Sequence, residues 1–437
     1  MSSDDNERGS KAAEAESLDT TTNPENVTGD PEKQQDNKIG HSILVEWDGD
    51  SDPLDPRTFS SSRKWFYVAV VSTGSLLVTA TSSLYVACYA QIISRFGISQ
   101  EIANLGLSLY VLGLGLGPLL FSPFSEQLLL PMTIFTGTAF IGPVAGPLIG
   151  GFINSFANWR WSFYVLLIWT GVMLACVLLV PETYHPILLS KKAAALRKST
   201  KRQYHSASDK ARASKSLSKA LATSLYVPFQ LLFLDPMVLA LSTYTSLLQG
   251  ILYLFFGAFP LVFVNNHGFN LWQVGLTFLG LLIGNLVACL FNPYWHKNWM
   301  GLIAKMKAKH GPEYKPEPEL RLPPAMIGSA MVTVSLFWFA WTTYPSVHWI
   351  VPIIATIFFS IGLFFVFQGL WTFLMAAYPK YAASAMAVNT TTRCLFAAAF
   401  PLFTVQMGFD PNCIFDLSYA TIPIYILPVW QDSKSKK

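Results

Sequence analysis

Gly142-Pro143-Val144-Ala145-Gly146-Pro147-Leu148-Ile149-Gly150-Gly151 sits inside a charge-free run that extends from 131 to 153. Gly142, Gly146 and Gly150 recur every four residues, so a helix places them on one face, where a second backbone can come close. Pro143 and Pro147 remove backbone donors and bend that helix. In water such a segment is a poor helix. In a bilayer the unmet carbonyls have no solvent to turn to, so the backbone stays helical and the small residues serve packing. The stretch therefore reads as a kinked, tightly packed membrane helix, with plain packing and a pivot both open as its role.

The rest of the chain agrees. Of 437 residues, 52% are hydrophobic and 13% charged, and the mean hydropathy is +0.38. A soluble domain carries about 25% charged residues. Fifteen of the 26 acidic residues fall in residues 1–64. Elsewhere, apolar runs long enough to cross a bilayer, about 20 residues in a helix, follow one another. They are continuous rather than alternating, which excludes a barrel. The fold class expected is an all-α integral membrane protein. Spans are expected at 65–90, 102–122, 131–153, 159–181, 236–264, 272–291, 323–342, 348–376 and 382–407. A tenth, 413–430, is marginal, because Asp416, Pro423 and Pro428 offset its aliphatic content.

Lys and Arg orient the spans. One side collects Lys191, Lys192, Arg197, Lys198, Lys201, Arg202, Lys210, Arg212, Lys215 and Lys219, together with Lys297, Lys305, Lys307, Lys309, Lys315 and Arg321. The other side holds Arg95 and Arg160 in its short loops. The basic side is cytoplasmic by this rule, and the N-terminus with it. The domain order expected is a disordered acidic tail (1–64), four spans (65–181), a basic central loop (182–230), five or six spans (231–430) and a short tail (431–437). No basic region with an apolar core opens the chain, so the first span is expected to act as an uncleaved signal-anchor. Two bundles joined by a cytoplasmic linker suit a transporter built from two halves.

Chemistry-bearing patterns are sparse. Cys88, Cys176, Cys289, Cys394 and Cys413 sit singly and read as small hydrophobes. His residues lack metal-ligand spacing, and no phosphate-binding loop is present. Neither an enzyme, a metal, a cofactor nor a nucleic-acid partner is expected. Arg393 is the firm charge placed well inside a span; an unpaired cation there costs about 2.5–3.5 kcal/mol, so it should face a cavity or carbonyls near Asn389. Tyr244, Gln249 and Tyr253 are candidate cavity residues on the first span after the central loop, with Gln368 facing them from another helix. Such aromatics suit bulky apolar or cationic compounds. Glu126, at the inner mouth of the second span, is the candidate coupling and gating residue, since Glu101 and Asp235 lie at other edges.

Resemblance sharpens this. The Gly142–Gly151 pattern resembles the fifth-helix antiporter motif of the major facilitator superfamily. It is followed by Trp159-Arg160-Trp161-Ser162-Phe163, which resembles the entrance to that family's sixth helix, and by Pro181-Glu182-Thr183-Tyr184. Val45-Glu46-Trp47-Asp48-Gly49, Glu319-Leu320-Arg321-Leu322-Pro323-Pro324 and Arg393-Cys394-Leu395-Phe396-Ala397-Ala398-Ala399-Phe400-Pro401 are similar to the fungal drug:proton antiporter branch. The resemblance implies two helical bundles of major facilitator type and proton-coupled efflux of drug-like small molecules, by a monomer most naturally placed in the plasma membrane. One departure stands out. Leu120-Phe121-Ser122-Pro123-Phe124-Ser125-Glu126 runs almost directly into the helix that resembles the fifth. Helices three and four of the pattern are absent, leaving an incomplete N-terminal bundle and about 9–10 spans in all. Two functions fit: a secondary transporter working by alternating access, or a transport-incompetent membrane protein or isoform acting through partners.

The orientation is directly measurable. A cysteine placed by Ser208→Cys, in the basic central segment, should react with a membrane-impermeant maleimide only after the cells are opened. Labelling of intact cells would reverse the topology.

Overall fold

The computed structural model describes residues 43–45, 58–121, 132–180, 185–200, 204–205, 217–311, 314, 316–379 and 381–403. Glu126, Pro181–Tyr184 and the marginal span 413–430 lie outside them, as does most of the acidic tail.

Helices dominate. In chain order they are α1 (Ser61–Val86), α2 (Tyr89–Phe96), α3 (Gln100–Phe121), α4 (Met132–Phe156), α5 (Arg160–Leu178), α6 (His185–Thr200), α7 (Leu217–Leu234), α8 (Pro236–His267), α9 (Leu271–Thr277), α10 (Leu279–His310), α11 (Pro323–Thr342), α12 (Ile350–Ala377) and α13 (Ala382–Phe403). Each expected span finds a helix, with α9 and α10 sharing one. Six helical segments pass for bilayer crossing by length and composition among the described residues. Between Phe121 and Met132 lie only ten residues, half of what one crossing needs. The first half of the molecule therefore has no room for two further spans at that point.

Local signals set the helix ends. The Ser60 side chain accepts the Arg63 N–H at 3.4 Å to start α1. Asp235 caps α8 by accepting the Met237 N–H at 3.0 Å, with Pro236 in the first turn, where a missing N–H costs nothing. Gly97 (φ 62) and Gly268 (φ 66) end α2 and α8 in the left-handed conformation that a side chain resists.

Three expectations need correction. The segment 182–230 is not one loop: α6 and the first part of α7 lie in it. Its Ala193-Ala194-Ala195 core and flanking Lys, Leu and Arg are strong helix formers, which the charge-based reading passed over. Likewise α10 continues through the basic residues to His310 instead of ending near 291. Lysines leave the membrane without leaving the helix. The tail is also not wholly without structure, since Ile43 and Leu44 pair in parallel with Tyr204 and His205.

The glycine face of α4 lies on α1. A β-carbon on Gly146 would stand 2.6 Å from the Ala80 carbonyl oxygen, and one on Gly142 would stand 2.8 Å from that of Leu76. A β-carbon on Gly150 would stand 3.2 Å from the Leu84 carbonyl oxygen and 2.8 Å from the Ala87 β-carbon. In the second half, Gly328 of α11 and Gly362 of α12 face each other's carbonyls. These are backbone-to-backbone seams. Outside them, α5 turns Leu167, Ile168 and Leu178 to the surroundings, as a helix against lipid tails should. Among the cysteines, Cys88 and Cys394 are buried and Cys176 and Cys289 half-buried, all as free thiols.

Gly146→Val should disrupt the α1–α4 seam. Overpacking costs about 1–3 kcal/mol or more, so the detergent-solubilised variant should lose its monodisperse gel-filtration peak or melt well below wild type. Gly113→Ala, with open space at its β-carbon, should behave as wild type in the same assay.

Candidate substrate path between the halves

Two seams join the halves. Along the first, α3 lies on α13: the Asn104 amide donates to the Pro401 carbonyl at 3.0 Å, Ser108 Oγ to Ala398 O at 2.6 Å, and Thr391 Oγ1 to Gly115 O at 2.9 Å. Gly115 takes part because a β-carbon there would stand 3.6 Å from the Thr391 carbonyl and closer still to Cys394. Along the second, α4 lies on α9: Gly151 and Gly275 approach so closely that a β-carbon on Gly275 would be 2.9 Å from the Pro147 carbonyl. The motif glycines thus divide their work. Gly142, Gly146 and Gly150 hold α4 to its own half, while Gly151, together with the Pro147 carbonyl, touches the other half.

Between the seams lies a cavity of about 270 Å³, lined by α1–α3, α8, α9 and the end of α13. Its polar wall is Tyr89, Gln100, Asn104, Tyr253 and Asn265, and no charged side chain lines it. Tyr253 bridges the halves, with its hydroxyl 3.1 Å from Ser82 Oγ. The Ser82 hydroxyl already donates to the Thr79 carbonyl at 2.7 Å, so Tyr253 is the donor across the gap. The Tyr89 hydroxyl is buried with no hydrogen-bond partner among the described residues.

Arg393 lies deep in the bundle, half-buried, with its guanidinium 4.8 Å from the Trp371 ring centre and 5.2 Å from that of Phe367. Two desolvated cation–π contacts at about 0.5–2 kcal/mol each roughly offset the cost of a cation at this depth. Phe140 of α4 packs on both rings, at 5.0 and 6.2 Å, so this cluster also belongs to both halves. Asn389 is spoken for: its oxygen accepts the Trp371 indole N–H at 3.2 Å, and its nitrogen donates to Thr245 at 2.8 Å. It positions the ring under Arg393 instead of facing open space.

The other expected path residues separate. Tyr244 is buried off the cavity, and Gln249, half-buried with its side-chain oxygen unpartnered among the described residues, is not in the cavity wall. Gln368 does not face Tyr253, because it lines a different cavity between α10 and α12. Ser82, Tyr89, Asn104, Phe140 and Trp371 were missed, though Asn104 and Ser108 stand four apart on one face of an apolar helix. Outside the spans, Tyr378 donates to the Asp235 carboxylate that caps α8. Burial, and then the adjacent carboxylate, push its phenol up, so it stays protonated as the donor.

A double-mutant cycle on Ser82→Ala and Tyr253→Phe should give a coupling of about 0.5–1.5 kcal/mol in thermal unfolding. Additive effects would mean that the bridge contributes nothing.

Comparison with known proteins supplies the family. The chain is 44% identical over 394 residues to the efflux pump atB of Aspergillus terreus, covering 85% of this chain and 82% of that one. It is 38% identical over 406 residues to the efflux pump FUBT of Fusarium oxysporum (79% and 68% covered) and 33% identical over 439 residues to the probable drug/proton antiporter YHK8 of Saccharomyces cerevisiae (86% and 84% covered). Residues 126–401 match the Major Facilitator Superfamily pattern. With two helical halves meeting along α3–α13 and α4–α9, this chain belongs to the Major Facilitator Superfamily.

Proposed function

We propose that this chain exports small aromatic organic compounds in exchange for protons, by alternating access between its two halves, as a monomer in the plasma membrane with its basic side in the cytoplasm. The observation that carries this is the cavity of about 270 Å³ shared by both halves and bordered by seams at which glycines bring helices close. Helices packed through small residues slide and rock without a large loss of contact, so a rocking motion would close one mouth and open the other. Export and proton exchange rest on the names of the relatives. Glu126, five positions beyond the end of α3 in sequence and outside the described residues, is the coupling candidate.

The substrate class follows from charge. Arg393 stands near Tyr253, and no Asp or Glu lies within the membrane spans among the described residues. An unopposed cation repels a cationic guest across a poorly screened interior. Of the apolar and cationic compounds that the sequence suggests, the cationic ones fit poorly, and neutral or weakly acidic aromatic compounds fit better.

The test is expression in a pump-deficient yeast, with export measured for 2-naphthoate and for the cation rhodamine 6G. Naphthoate export that collapses with a protonophore is expected, with at least about ten-fold weaker rhodamine export, a gap of about 1.4 kcal/mol. Arg393→Gln should narrow that gap. A protein that reaches the membrane and exports neither compound would instead support the transport-incompetent reading.

A further inference from the structure

The motif Glu319-Leu320-Arg321-Leu322-Pro323-Pro324 has no part in the path between the halves. It closes a second cavity, of about 310 Å³, on the side where Lys and Arg collect. Trp295, His296 and Trp299 of α10 form one wall, Gln368 and Thr372 of α12 another, and Arg321 the third. We propose that this cavity is a binding site for a phosphate-bearing anion.

Four observations support it. The Arg321 guanidinium stacks on the Trp299 ring at 4.5 Å and makes no hydrogen bond or ion pair among the described residues. A ring contact uses none of the five N–H donors of the guanidinium, so the fork that grips phosphate is unspent. No carboxylate lines the cavity, although Glu317 and Glu319 flank Arg321 in sequence. The remaining wall adds donors: the Trp295 indole N–H is buried with no partner among the described residues, and His296 stands beside it, while the Thr372 hydroxyl is spent on the Gln368 carbonyl at 2.9 Å. Finally, the Gln368 side-chain oxygen is buried and equally unpartnered, an acceptor for a phosphate or glycerol hydroxyl.

Arg321 lies outside the spans, and burial pushes its guanidinium down from the ordinary arginine range. A cation held half-desolvated gains when an anion arrives. Beyond the cavity, Lys297, Lys305, Lys307 and Lys309 are exposed along the same helix, and a basic track of this kind concentrates anions from an acidic leaflet or from solution. A lipid headgroup and a soluble organic phosphate share the chemistry required. The site is independent of transport, so its test does not read export.

The full chain in detergent is titrated with dihexanoyl phosphatidic acid, dihexanoyl phosphatidylcholine, sodium phosphate, glycerol 3-phosphate and citrate, following Tm. Wild type should gain at least about 3 °C from a phosphate-bearing anion. A gain from phosphatidic acid alone identifies a lipid site, and an equal gain from glycerol 3-phosphate or phosphate identifies a soluble ligand. Arg321→Gln should abolish the gain. Should that variant not stay monodisperse, Arg321→Lys carries the test, because it keeps the charge and loses the fork; it should need at least about ten-fold more ligand. No gain from any phosphate, an equal gain from citrate or phosphatidylcholine, or an undiminished gain in the arginine variants would overturn the proposal.

Discussion

Helix against helix at backbone distance is the contact on which everything else in this molecule rests. Lipid tails are as apolar as leucine, so burying leucine between two membrane helices gains little. What holds them is close packing, and only residues without bulk permit it. The α1–α4 seam at Gly142, Gly146 and Gly150 and the α11–α12 seam at Gly328 and Gly362 build each half. Gly151 against Gly275 then brings the halves together on one side. The same small residues that make these seams tight leave few side chains interlocked across them. A protein that must rock between two states needs that combination.

The second constraint is the scarcity of charge. Arg393 is tolerated because Trp371 and Phe367 receive it with their ring faces, and Asn389 keeps Trp371 in place from behind. Phe140, reaching over from the other half, seals the cluster. A change in how the halves meet would therefore alter the surroundings of the cation, which links the position of α4 to the electrostatics of the path. Arg321 shows the same pairing of guanidinium and indole at the edge of the membrane, where water and anions are within reach.

The sequence alone determined a good deal: the α-helical membrane class, where the apolar helices lie, the glycine face of α4, the presence of a cation inside an apolar helix and the ten-residue gap between Phe121 and Met132. All of these are one-dimensional properties. Hydropathy, residue spacing and loop length are local, and the bilayer turns them into structure almost without reference to the rest of the chain. The helices at 185–200 and from 217 onward were hidden for a related reason: lysine density marks a side of the membrane but says nothing against helical backbone.

Partnership was decided only by the tertiary structure. A helical face is readable from the sequence, but which neighbour it meets is not. Gln368 and Tyr253 looked like two walls of one cavity and belong to two. Asn389 looked like a path residue and is a brace for Trp371. Tyr253 found Ser82, 171 positions away. The glycine motif itself gave its spacing to the sequence and its meaning to the fold, because three of its glycines face α1 and the fourth faces α9. Spacing fixes the angle at which a side chain leaves a helix. The packing of helices far apart in the chain fixes what stands at that angle.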